Sequence, residues 1–131
     1  MKLLLVAATE AEISGLRASN GDLPVGEVLH GALTVDADLL LTGVGMIATA
    51  YYLGRVLVGY QPSLVLNVGI AGTFRREWPL GKVVEICEEQ FADLGVDDKG
   101  VFRDLFEVQL LKADEDPYDG KSILPVKGAR L

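Results

Sequence analysis

Apolar residues run unbroken from Leu3 to Ala8 behind Lys2, the pattern of a strand buried on both faces. Thr9 then offers a helix N-cap, and Glu12 stands three residues on, the spacing of a capping box. Ile13 and Leu16 give this predicted helix a short apolar stripe, and Asn20-Gly21-Asp22 with Pro24 ends it. Two strands are predicted next, at residues 25–33 and 37–41, the second continuous and buried. Thr42-Gly43-Val44-Gly45 is a tight glycine turn, and helical spacing of apolar positions follows from Met46 to about Val58. Gly59 and Pro62 stop that helix. Residues 63–68 (SLVLNV) read as another buried strand ending in Gly69-Ile70-Ala71-Gly72. A longer strand with alternating positions is predicted over 83–94. Residues 101–111 fit strand or loop, 113–121 an acidic loop, and 123–126 the start of a last short strand.

Strands alternating with helices and glycine turns predict an α/β fold, a sheet flanked by helices. Open sheets of this kind bind ligands beyond the carboxyl ends of their strands. Three loops leave such ends, at 9–12, 42–45 and 69–72, and they converge on one crevice if their strands are neighbours.

Composition narrows the function classes. The chain has 131 residues, half of them hydrophobic, which suits one folded domain rather than a disordered chain. No apolar run approaches the roughly 18 residues of a membrane span, and Glu10 and Glu12 stand where a signal peptide would need small residues. The net charge of −7 argues against nucleic acid as a partner. A single cysteine, Cys87, excludes an internal disulfide, and with His30 the only histidine a structural zinc site is not expected. Cys87 reads as a small core residue and His30 as a strand-end or loop residue. A reduced, cytoplasmic protein fits this composition.

The glycine turns carry the candidate chemistry. Gly43-Val44-Gly45 opens a helix, so its backbone N–H groups suit an anion or a ribose oxygen, although a plain strand-to-helix turn reads equally well. Ala48 stands where a dinucleotide fingerprint needs its third glycine, and no triphosphate-binding loop occurs. Small residues at 69–72 allow a flat ligand close to the backbone, or simply close packing. Glu10 and Glu12 at a helix start suit the helix dipole, so capping alone also explains them.

Four segments in order, VAATEAEI (6–13), LLTGVGMIATAYYLG (40–54), LVLNVGIAGTF (64–74) and LGKVVEICEEQFADLGV (80–96), are similar to the nucleosidase branch of the purine-nucleoside phosphorylase-like superfamily. Within it the chain resembles futalosine hydrolase most, with methylthioadenosine/adenosylhomocysteine nucleosidase beside it; the latter typically has serine where Ile70 stands here. The likeness covers residues 1 to about 100. It implies a phosphorylase/hydrolase-like mixed sheet, with residues 1–131 forming the N-terminal part of a single domain truncated at its C-terminal side.

By this resemblance Glu12 is the carboxylate that positions the attacking water. Gly45 and Met46 match the turn beside the ribose and that water, while Ile70, Ala71 and Gly72 match the wall behind sugar and base. Phe91 falls at an aromatic position near the subunit-facing edge. The implied partner is a purine nucleoside, with no metal or organic cofactor and a homo-oligomer, a dimer, as the assembly. In the family an aspartate after a serine protonates the leaving base, and a Met-Glu pair holds the ribose; neither dipeptide occurs in this sequence.

Local chemistry favours water over phosphate as the nucleophile. A carboxylate roughly 4 Å from a phosphate dianion opposes its binding by several kcal/mol at an intermediate dielectric, whereas it can orient and deprotonate water. The expected activity is N-ribosyl hydrolysis, of futalosine in menaquinone biosynthesis. The alternatives are a nucleoside-binding remnant without turnover, a nucleoside phosphorylase and, less well supported, a flavodoxin-like module.

Overall fold

The computed structural model describes residues 1–123. The chain divides into two compact units, Met1–Arg76 and Glu77–Leu131.

The first unit holds strands β1 (Leu3–Ala7), β2 (Val28–Leu29), β3 (Asp38–Leu41) and β4 (Leu64–Asn67) and helix α1 (Met46–Leu57). Their order in the sheet is β2-β3-β1-β4. β3 and β4 run parallel to β1 on either side, and β2 pairs antiparallel with β3. The central place of β1 explains its unbroken apolar sequence. Leu5 and Ala7 face one layer with Ile13, Leu33, Leu39 and Leu41. Leu4, Val6 and Leu40 face the other, against Leu53, Val56 and Tyr60. The unit is thus a mixed α/β sheet whose central strand β1 is covered on both faces, as its apolar run predicts.

Two sequence expectations in this unit are corrected. The segment after Thr9 is a 3-10 helix, Glu10–Leu16, not a longer α-helix. Ser14 and Gly15 are poor helix formers, and Arg17 is already extended, bridging to Leu33. The strand predicted over 25–33 shrinks to Val28–Leu29. Gly26 and Gly31, with φ of 86° and 67°, turn the chain out of extended conformation on both sides. The helix predicted from Met46 forms as α1, with its apolar positions only partly covered: Ile47 and, just past its end, Val58 are 83% and 85% exposed.

At the amino ends of the parallel strands, Asp38 accepts hydrogen bonds from the Tyr60 hydroxyl and, at 2.7 Å, from His30 Nδ1. His30 thus occupies the strand-end position expected of it, and Lys2 Nζ lies 3.8 Å from the Tyr60 ring centroid. Burial opposes charge on Asp38, but its bonds to Tyr60 and His30, with smaller help from His30 and Lys2 charge, hold its carboxyl below the ordinary value. Burial, then the Asp38 contact, pushes the Tyr60 phenol up to about 12.

The second unit contains two antiparallel pairs. β5 (Gly95–Asp98) pairs with β6 (Val101–Asp104), and β7 (Tyr118–Asp119) with β8 (Ser122–Ile123). Lys99 and Gly100 both have positive φ, as a two-residue hairpin turn requires. The ambiguous stretch 101–111 is strand to Asp104 and turns thereafter. Ile123 does begin in a strand, but the rest of the strand predicted over 123–126 lies outside the described residues.

The long strand predicted over 83–94 does not form: its one ladder contact among the described residues is the bridge Glu89–Ile123. Alternating sequence makes a strand only where a neighbour accepts its backbone bonds, and here Val83 is 93% exposed. Cys87, read as a core residue within that strand, is exposed for the same reason.

Candidate functional site

The parallel register sets the carboxyl ends of β3, β1 and β4 side by side, so the three loops leaving them converge. Thr42 N–H donates to Ala7 O at 3.0 Å and Val68 N–H to Val6 O at 2.8 Å, extending the ladder into the loops on both sides of β1.

Glu12 is delivered to this point by the 3-10 turn. Its Oε2 accepts the N–H groups of Ala8 and Thr9, each at 3.0 Å, and the Thr9 hydroxyl at 3.4 Å. The Thr9 contact is the reciprocal half of a capping box. Oε1 accepts the Ile70 N–H at 3.4 Å, across the sheet end from β4. A methyl group on Gly69 would sit 2.9 Å from that Oε1, so the glycine is what admits the carboxylate. Glu12 thereby becomes a fixed acceptor, with Oε2 saturated and Oε1 carrying a single donor among the described residues. Such a group can hold a water and take its proton.

Glu10, two residues away, does different work. Its Oε2 pairs with Arg17 at 2.8 Å and its Oε1 accepts the Leu23 N–H at 2.9 Å, closing the loop after the 3-10 turn. Of the two acidic residues, one fastens the loop and the other faces the strand ends.

The Gly43–Gly45 turn lies on the β3 side. Gly43 and Gly45 have φ of 75° and 101°, a region that a side chain would strain. Met46 begins α1 and is 65% exposed. On the β4 side Ile70 is 87% exposed, with Ala71 and Gly72 also exposed. Glu12, Gly45, Met46, Ile70, Ala71 and Gly72 thus all lie on the loops leaving one end of one sheet. Phe91 belongs to the second unit, where it lines a small cavity of about 40 Å³ with Gln90, Leu94 and Phe106.

Two residues of the glycine turns take roles at the strand ends that the sequence reading does not give them. Thr42 is buried, with its hydroxyl 3.1 Å from that of Thr49, which in turn donates to Gly45 O at 3.2 Å. Gly69 is the contact surface for Glu12. The available signal for Thr42 is a hydroxyl residue ending an otherwise apolar strand, with a second hydroxyl seven residues on. A larger cavity, about 370 Å³, opens at the opposite end of the sheet beside Lys2, Gly31, Asp36 and Asp38. Its most buried acid, Asp38, is already committed to Tyr60 and His30, so the chemistry points to the carboxyl ends instead.

Among the described residues no cluster of three His, Cys, Asp or Glu side chains suits a metal ion. No helix among them is long and apolar enough to cross a membrane.

No family model matches the sequence, and no solved structure matches the fold. Among curated proteins, the chain is 28% identical over 92 residues to the 5'-methylthioadenosine/S-adenosylhomocysteine nucleosidase of Hydrogenovibrio crunogenus, covering 64% of this chain and 39% of that one. It is 30% identical over 103 residues to the protein of the same name from Aeromonas salmonicida, covering 73% of this chain and 44% of the relative. The chain therefore spans about two fifths of the length of the curated relatives it matches. These similarities support kinship with the nucleosidase family.

Proposed function

We propose that this chain carries the water-side half of a site that hydrolyses the N-ribosidic bond of a purine nucleoside. The observation that carries the reading is the placement of Glu12, gripped by Ala8, Thr9 and Ile70 where three parallel strands end. In the reaction a water held at Oε1 attacks the anomeric carbon and gives its proton to Glu12. The carbon–nitrogen bond breaks through an oxocarbenium-like transition state, and the bonding pair leaves with the base. The strand-end residues named above serve the water and sugar side; a second group supplies the proton that the base takes. Gly45 and Met46 would border the ribose, and Ile70, Ala71 and Gly72 would form the wall behind it.

For the nucleoside itself we favour futalosine, on the combined pattern NVGIAG (67–72) and EEQFADLGV (88–96). The names of the relatives make methylthioadenosine and adenosylhomocysteine the competing substrates. Incubation with each nucleoside, with and without inorganic phosphate, tests this reading. Base release in phosphate-free buffer supports it, and release that requires phosphate makes the protein a phosphorylase. A second reading, nucleoside binding without turnover, is favoured by a Glu12 carboxylate already held by the Ala8, Thr9 and Ile70 N–H groups, and it predicts ligand-induced thermal stabilisation with no base released.

The proposal includes pairing of two copies. Its support is the exposed apolar face of α1 and its C-cap, where Ile47, Tyr51 and Val58 are 83%, 61% and 85% exposed. A monomer at all concentrations in sedimentation equilibrium would remove this part.

A further inference from the structure

We infer that Thr42 is a positioning residue of this site, its hydroxyl fixing the glycine turn while its backbone N–H holds the peptide group that also bonds the water-side carboxylate. The inference rests on the nucleosidase reading for its kinetic consequence and on geometry alone for its structural one. Thr42 is 1% exposed at the end of β3, a place the preceding Leu39, Leu40 and Leu41 would let any apolar residue fill. A buried hydroxyl needs a partner, and this one has Thr49 Oγ1 and the carbonyl oxygens of Gly43 and Ala7 within 3.4 Å, with one proton to give.

On the helix side, the Thr42 and Thr49 hydroxyls are 3.1 Å apart and Thr49 Oγ1 donates to Gly45 O at 3.2 Å. With Thr42 as donor to Thr49, every hydroxyl proton in the relay is used once. The carbonyl of Gly45 is thereby drawn toward the helix, and the strained turn is fixed. On the strand side it is the backbone N–H of Thr42 that donates to Ala7 O, at 3.0 Å; with its hydroxyl proton on Thr49, Oγ1 makes no further donation to that oxygen or to Gly43 O. The N–H of that same peptide group, on Ala8, donates to Glu12 Oε2 at 3.0 Å. One peptide plane thus has Thr42 on its carbonyl and Glu12 on its amide. Rotation of that plane turns the carboxylate away from its set direction, and small misplacements of catalytic groups are costly.

The test compares Thr42→Val, which keeps the shape and removes the hydroxyl, with Thr42→Ser, which keeps the hydroxyl. Two readouts are needed: kcat for base release, and amide hydrogen exchange at Ala8 and Thr49. Valine is expected to lower kcat by roughly 10- to 100-fold and to speed exchange at Thr49, whose N–H donates to Gly45 O, while the backbone-held Ala8 amide stays unchanged as the reference; serine restores the parent values. Equal exchange at Thr49 in the valine variant and the parent overturns the inference whatever the activity. Equal loss in the serine and valine variants overturns it too, since the methyl group would then be what matters. Absence of base release in the parent protein counts against the nucleosidase reading and leaves the exchange comparison to decide the role of Thr42.

Discussion

Glu12 Oε1 accepts the backbone N–H of Ile70 at 3.4 Å, a contact between residues 58 apart in sequence that ties the loop after β1 to the loop after β4. It depends on the residue just before Ile70. Gly69 is exposed and its φ is not in the left-handed region, so alanine there is tolerated by the backbone. Its Cβ would nevertheless press on Oε1 at 2.9 Å, against a carboxylate already anchored through Oε2. Gly69→Ala should change stability by less than about 1 kcal/mol and lower kcat for base release by about tenfold or more. Thermal unfolding and steady-state kinetics on the same preparation check both halves.

Gly26→Ala should do the reverse. Gly26 has a φ of 86°, and an added Cβ would meet the Tyr52 ring at 2.2 Å. Its N–H also donates to Leu41 O at 2.8 Å, so the backbone cannot move without breaking the cover of β3. A loss of about 2 kcal/mol or more is expected from the clash and the positive φ together. Urea unfolding measures it, and activity per folded molecule should be unchanged.

Stability should fall at both ends of the pH scale through the Asp38–Tyr60 pair. Asp38 has a lowered pKa in the folded chain, so its contribution is full above the ordinary carboxylate value of 3.8 and lost as pH falls through the lowered one. Tyr60 is raised from 10.0 to about 12, so its contribution is full below 10.0 and lost as pH rises toward 12. Tyr60→Phe should flatten the alkaline limb and, by removing one hydrogen bond to Asp38, make the acid limb shallower. Thermal midpoints from pH 2 to 12 for both proteins provide the comparison.

The sheet was legible because β1, β3 and β4 are apolar on both faces and each is closed by small or turn-forming residues. Local sequence alone suffices for such elements. The stretches 25–33 and 83–94 misled for a different reason. Their apolar content is real, but Gly26 and Gly31 break the first, and the second lacks a strand neighbour among the described residues. Glu12 was visible through its three-residue spacing from Thr9. Its contact with Ile70 and the tie of Thr42 to Ala7 cross 58 and 35 residues, and no local pattern encodes them.

Base release from purine nucleosides in phosphate-free buffer, by the parent protein and by Glu12→Gln, tests the central claim most directly. The amide cannot take a proton from water, and its NH₂ group would confront the Ala8 and Thr9 N–H donors if it took the place of Oε2. The account predicts phosphate-independent release by the parent and a loss of at least about 100-fold in the variant. Release that depends on phosphate, or a variant as fast as the parent, would contradict it.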